Sequence, residues 1–88
     1  MEVKNFNVEI ITPSGYLFNG TCFMINIPAS AGEMGVMSHH EAVLTTLAPG
    51  KITIYDKNNV ATEQFEIESG FAEMAGEKLL ILVEPKSN

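Results

Sequence analysis

The chain has 88 residues, 45% of them hydrophobic and 18% charged, the composition of one globular domain rather than a disordered segment. Five lysines, no arginine and eleven acids give a formal charge of −6, which excludes a phosphate-neutralising nucleic-acid face and disfavours electrostatic attachment to anionic lipid. A single cysteine, Cys22, excludes an intrachain disulfide and suits a reducing compartment.

No stretch reaches the ~18 apolar residues of a membrane span. The opening "MEVKNFNVEI" shows no cationic leader followed by an apolar core. A soluble cytosolic domain without direct membrane insertion is the expectation, any membrane link running through a partner. Phe6, Val8 and Ile10 alternate with Asn7 and Glu9, the period of a strand. Pro13, Ser14 and Gly15 then turn the chain, and "YLFNG" is a short extended piece. In "TCFMINIPA", Phe23, Ile25 and Ile27 share one face while Cys22, Met24 and Asn26 share the other, and Pro28 is read as the stop.

"SAGEMGVMSHHEA" follows, too apolar for an idle loop and too broken for a strand or a long helix. "AVLTTLAPG" is of mixed character and is closed by Pro49 and Gly50. "KITIY" reads as a strand with Ile52 and Ile54 inward, and "DKNN" as a tight turn. "TEQFEIESG" points Phe65 and Ile67 inward with Glu66 and Glu68 toward water, and "FAEM" extends it. After the turn "AGEK", the run "LLILV" is apolar on both faces, as in a central strand covered on two sides. Residues 1–84 form the domain in this reading, and 85–88 end it as a polar tail; "EPKSN" is expected to fray. Roughly seven or eight short strands with regular turns and no full-length amphipathic helix indicate an antiparallel sandwich or flattened barrel.

Little in the chain suggests a reaction centre. Adjacent His39 and His40 point to opposite faces in extended chain and chelate one ion poorly; the nearby donors are Glu33 and Glu41, with no HxxxH or CxxC spacing. Cys22 has no cationic neighbour to activate it and reads as a structural thiol. Glu63, Glu66, Glu68 and Glu73 offer carboxylates, yet Glu66 and Glu68 fit the wet face of a strand without further explanation. In "GEMG", Gly32 and Gly35 allow tight turning around one anion, Glu33, and one flexible apolar residue, Met34; Val36 and Met37 follow. Residue chemistry alone leaves two readings level: an exposed Met/Val tip for a protein interface, or a cap folded inward over the sandwich.

These residues resemble a known family. "LFNG…IPASAGEMGVMSHHEAVLTTLAPGKITI…FEIESGFAEM…KLLILVE" is similar to the N-terminal domain of the ε subunit of F-type ATP synthases, over Phe6 to Glu84. The ordered matches are Phe18-Asn19-Gly20, Gly32-Glu33-Met34-Gly35, His40, Leu44-Thr45 and Pro49-Gly50. Ser38 and His39 stand where the family usually has proline and glycine, Glu41 and Ala42 where it commonly has alanine–proline, and Ser69-Gly70 replaces a glycine pair. The resemblance implies an all-β, antiparallel β-sandwich or flattened barrel of about ten short strands. It implies a non-catalytic central-stalk rotor subunit packed against the γ subunit and the c-ring, on the cytoplasmic face of a bacterial inner membrane. Gly32, Glu33, Met34, Gly35, Val36, Met37, His39 and His40 would face the ring and γ, and Thr12 matches a position near the stalk. No cofactor, metal or nucleotide is implied for these residues: the two-helix hairpin that many members carry beyond this domain is not part of the 88-residue sequence. The competing readings are a stand-alone binding module for a small ligand or carbohydrate, which the absence of tryptophan disfavours, and a metal-dependent enzyme around the histidine pair.

Overall fold

The computed structural model describes residues 3–38 and 41–86, so His39 and His40 lie outside the described residues. Eight strands follow in chain order: β1 (Phe6–Thr12), β2 (Gly15–Cys22), β3 (Met24–Ala29), β4 (Gly32–Met37), β5 (Val43–Leu47), β6 (Gly50–Tyr55), β7 (Ala61–Ala75) and β8 (Lys78–Pro85). The all-β class is as expected, with eight strands where the resemblance implied about ten.

The architecture turns on β7, at 15 residues the longest strand. Its first half pairs with β6, from Ala61 opposite Tyr55 to Ile67 opposite Gly50. Its second half runs between β5 and β8. One layer is thus β2-β1-β8-β7-β5 and the other β7-β6-β3-β4, with β5 and β3 meeting at a single pair, Leu47 and Ala29. Inward residues of both layers form one core: Val8, Ile10, Leu79, Ile81 and Met74 from the first, Ile25, Ile27, Val36, Ile52 and Ile54 from the second. These side chains are 2% exposed or less, the close packing that makes a small sandwich stiff.

β7 can cross between layers because of Gly70. A Cβ there would lie 2.6 Å from the Leu82 carbonyl oxygen and 3.1 Å from Val83 Cγ1. The register with β8 slips just before it, between Ile67 and Ser69. The turns follow their sequence signals. Asp56 Oδ1 accepts from the backbone N–H of Asn58 at 2.9 Å and of Val60 at 3.1 Å, which caps the "DKNN" turn and holds Asn59 at φ 62°. Gly76, at φ 64°, supplies the left-handed residue of the β7–β8 hairpin.

Several expectations are corrected. The broken segment at residues 32–37 is a strand, because Val36 buries inward on the period of two that its glycines conceal. Cys22 closes β2 rather than opening the next strand, since the chain bends at Phe23. Pro28 does not stop β3, which continues to Ala29; its carbonyl still accepts from the Ala48 N–H at 2.8 Å. β8 is central in its layer, between β1 and β7, but it pairs with β1 in parallel. It is not covered on both sides, for Leu82 on its outer face is 45% exposed. The segment expected to fray begins inside β8, and the Lys86 N–H donates to the Glu66 carbonyl at 3.1 Å.

Gly70→Ala is expected to lower the unfolding free energy by about 1–3 kcal/mol in urea titration, because main chain of β8 must move. Gly35→Ala, whose added carbon would meet nothing nearer than Met24 Sδ at 3.8 Å, is expected to stay within about 0.5 kcal/mol of the unsubstituted chain.

Candidate functional site

The β3–β4 hairpin carries the residues singled out between 32 and 37. A two-residue turn, Ser30-Ala31, sets its register: Ala29 faces Gly32, Pro28 faces Glu33, Ile27 faces Met34 and Ile25 faces Val36. Gly32 holds φ 136°, a backbone region closed to most side chains, so the hairpin opens on a residue chosen for conformation. The turn is tied to β5 by Ser30 N–H to the Thr46 carbonyl at 2.9 Å and by a hydroxyl contact, Ser30 to Thr46, at 2.8 Å.

β4 pairs only with β3, so one edge of Gly32–Met37 is open among the described residues. Glu33 is exposed there, and the Asn26 amide donates to its Oε1 at 2.8 Å. That bond fixes the carboxylate while leaving its charge in water. Gly35 is exposed, Met34 and Met37 are half-buried, and Val36 is fully buried. The two readings of the Met/Val stretch therefore divide by residue: Val36 belongs to the core, Met34 packs against the core with a remaining wet side, and Glu33 faces outward.

Thr12 lies apart from this edge. Its hydroxyl accepts from the Ser14 N–H and donates to the Gly15 carbonyl, both at 3.0 Å, so it shapes the β1–β2 turn. Between Thr12 and the hairpin run β8, β7 and β5.

Asn26 was not among the site residues read from the sequence. Once the turn is centred on Ser30-Ala31, the register puts Asn26 opposite Gly35 and diagonal to Glu33, so the signal lay in the turn position. Glu63, Glu66, Glu68 and Glu73 are all exposed, without the burial that tunes an acid or base. Glu66 pairs with Lys86 at 3.4 Å. Among the described residues no three His, Cys, Asp or Glu side chains cluster in a way that could hold a metal ion. Cys22 is buried, and desolvation pushes its thiol up from 9.0 to about 12.

A family profile described as ATP synthase, Delta/Epsilon chain, beta-sandwich domain matches residues 5–85. The chain belongs to this family. Similar relatives include an ATP synthase epsilon chain of Caulobacter vibrioides, 37% identical over 82 residues that cover 93% of each chain. Another, from Sulfurimonas denitrificans, is 33% identical over 93% of this chain but only 62% of the relative. The chain thus spans nearly all of one relative and less than two thirds of the other. A chain of the Euglena gracilis mitochondrial ATP synthase shares the fold, with a TM-score of 0.82 and 22% identity, over 94% of this chain and 53% of that one. A chain of the Tetrahymena thermophila mitochondrial enzyme does so at 0.72 and 19%, over 96% and 66%. In the delta/epsilon β-sandwich domain described here, the hairpin of Gly32 to Met37 is one open edge and the turn at Thr12 closes the opposite hairpin.

Val36→Ala is expected to cost about 2 kcal/mol of unfolding free energy, and Glu33→Ala less than about 0.5 kcal/mol, in the same urea titration. The Cys22 thiol is expected to resist a disulfide-exchange reagent at pH 8 in buffer and to react fully in denaturant. Its ionisation follows the same burial: the unfolded thiol ionises near 9.0 and the folded one near 12. Its contribution to stability is therefore full below pH 9 and fades as pH rises toward 12. Cys22→Ala, measured by urea titration at pH 7 and pH 10, removes that share of the alkaline loss.

Proposed function

We propose that this chain is a central-stalk rotor subunit of an F-type proton-translocating ATP synthase, held between the γ subunit and the c-ring. It carries no reaction centre of its own and serves to couple ring rotation through γ to ATP synthesis. The observation that carries this reading is the family match over residues 5–85, joined to 93% coverage in both directions of a relative named as an ATP synthase epsilon chain. The complex would place the chain at a membrane face, the cytoplasmic face of the inner membrane in a bacterium.

The physical task suits the molecule. A charge moving through the membrane potential releases about 2.3 kcal/mol per 100 mV, and several such steps accumulate before one ATP leaves. A part that joins ring to shaft must hold that load with little give. A sandwich whose core is closed and whose layers share one strand meets the demand. On this reading the open edge of β4 meets the polar loops of the ring. Glu33, held by Asn26, addresses a basic or polar group there, and Met34 and Met37 add adaptable apolar contact. His39 and His40, which follow β4 in the sequence, belong to the same contact on this reading, and Thr12 faces the stalk.

The test is Glu33→Ala with Met34→Ala in the assembled synthase. The expected outcome is several-fold weaker retention of the chain on the complex and less ATP made per proton moved, with the fold of the isolated chain intact. Unchanged retention together with unchanged coupling would remove these residues from the docking role. A complex lacking the chain that still made ATP at full yield would remove the function.

A further inference from the structure

Gly35 is a glycine that the fold does not need. Its φ lies outside the left-handed region, unlike that of Gly32 in the same strand. A Cβ built on it would meet nothing nearer than Met24 Sδ at 3.8 Å and Asn26 Oδ1 at 3.9 Å, which are ordinary contacts. Neither backbone conformation nor packing selects the smallest residue there, and a glycine inside β4 weakens the strand. The remaining use of such a glycine is to leave main chain bare for the close approach of another molecule.

Alternation decides what surrounds it. Ile25, Ile27, Met34 and Val36 occupy the inner side of the hairpin. Met24, Asn26 and Pro28 on β3 therefore share the outer side with Glu33, Gly35 and Met37 on β4. Gly35 lies between Glu33 and Met37 along its own strand, about 7 Å from each at the usual rise, with Asn26 opposite. Asn26 turns its Oδ1 toward the bare position, and its Nδ2 donates across the diagonal to Glu33 Oε1 at 2.8 Å. Among the described residues Glu33 has no other hydrogen-bond or ion-pair partner.

A lysine or arginine at position 26 would hold the carboxylate and cancel its charge. The asparagine N–H holds it and leaves the charge whole. An unheld glutamate on an exposed edge samples many rotamers and loses that freedom on binding, which weakens association.

We infer that Asn26 and Gly35 are positioning residues for the contact made by Glu33. Asn26 pre-orders the carboxylate, with Oε2 left to an N–H or cationic group of the partner. Gly35 lets the partner's main chain settle against β4 beside it. The inference rests on the rotor reading and on the place of Glu33 in the docking edge, and adds two residues that act through geometry rather than charge. The surface they shape fits a polar loop rich in donors; an acidic segment would meet Glu33 unfavourably.

The experiment is add-back of the chain to its own synthase depleted of it, reading the dissociation constant at several KCl concentrations. Asn26→Ala is expected to weaken rebinding about three- to tenfold, and to add nothing beside Glu33→Ala, because it acts through that carboxylate. Gly35→Ala is expected to weaken rebinding by a similar factor both alone and beside Glu33→Ala, because it covers the bare main chain. Glu33→Ala is expected to flatten the dependence on KCl, whereas Asn26→Ala and Gly35→Ala, which remove no charge, leave its slope unchanged. Both are expected to keep the urea midpoint close to that of the unsubstituted chain. No loss from Asn26→Ala, or an equal loss with and without Glu33, overturns the role of Asn26; no loss from Gly35→Ala overturns that of Gly35. Unchanged rebinding by Glu33→Ala removes the docking edge and this inference with it, while the rotor reading stands. Failure of the unsubstituted chain to rebind overturns the rotor reading as well.

Discussion

The molecule depends on one close approach, that of the Gly70 backbone to the main chain of β8. Any side chain at Gly70 would press on the Leu82 carbonyl, and without that approach β7 could not leave the company of β6 and continue between β5 and β8. Everything else in the architecture follows from the crossing. It gives the two layers a common strand, brings Ile67 and Met74 into one core, and turns Leu82 and Phe71 to the outside. The serine before it, where the family more often has a second glycine, falls at the slipped register, which tolerates a small polar side chain in water.

Much of this was legible in the residues and some was not, for physical reasons. Period-two alternation located β1, β6 and the first half of β7, because apolar residues recur there at every second position. The turns at Asp56 and Gly76 were legible because their geometry demands particular residue types. β4 was hidden, since two of its six residues are glycines and hydrophobic alternation has nothing to register there. The parallel pairing of β1 with β8 was hidden for a different reason. It joins residues about seventy positions apart, and no local pattern encodes a partner so distant. The strand "LLILV" misled in an informative way: an apolar outer face read as burial within the chain, whereas the structure leaves it to the surface.

The candidate site shows the same division. Glu33 as an outward anion and Val36 as a core residue are separated by the hairpin register, which the position of one turn determines. The role of Asn26 needed that register first. The distribution of charge needed the whole fold: five lysines are spread over the chain, and three of them are engaged with Glu77, Glu9 and Glu66, while Glu73 and Glu84 face outward. An acidic body with Leu82 and Phe71 exposed on one layer and an anion on the other layer's open edge has two unlike surfaces, as a part wedged between two larger bodies requires.

The parallel seat of β8 between β1 and β7 also has a consequence for how the chain is made. While the ribosome is still adding residues, β1 has only its hairpin partner β2, and Val8 and Ile10 have no layer to join. β1 is completed by β8, so this layer closes only once β8 has emerged. Until then a nascent chain presents an unfinished sheet margin, a state in which chaperones or an early-arriving assembly partner have something to hold.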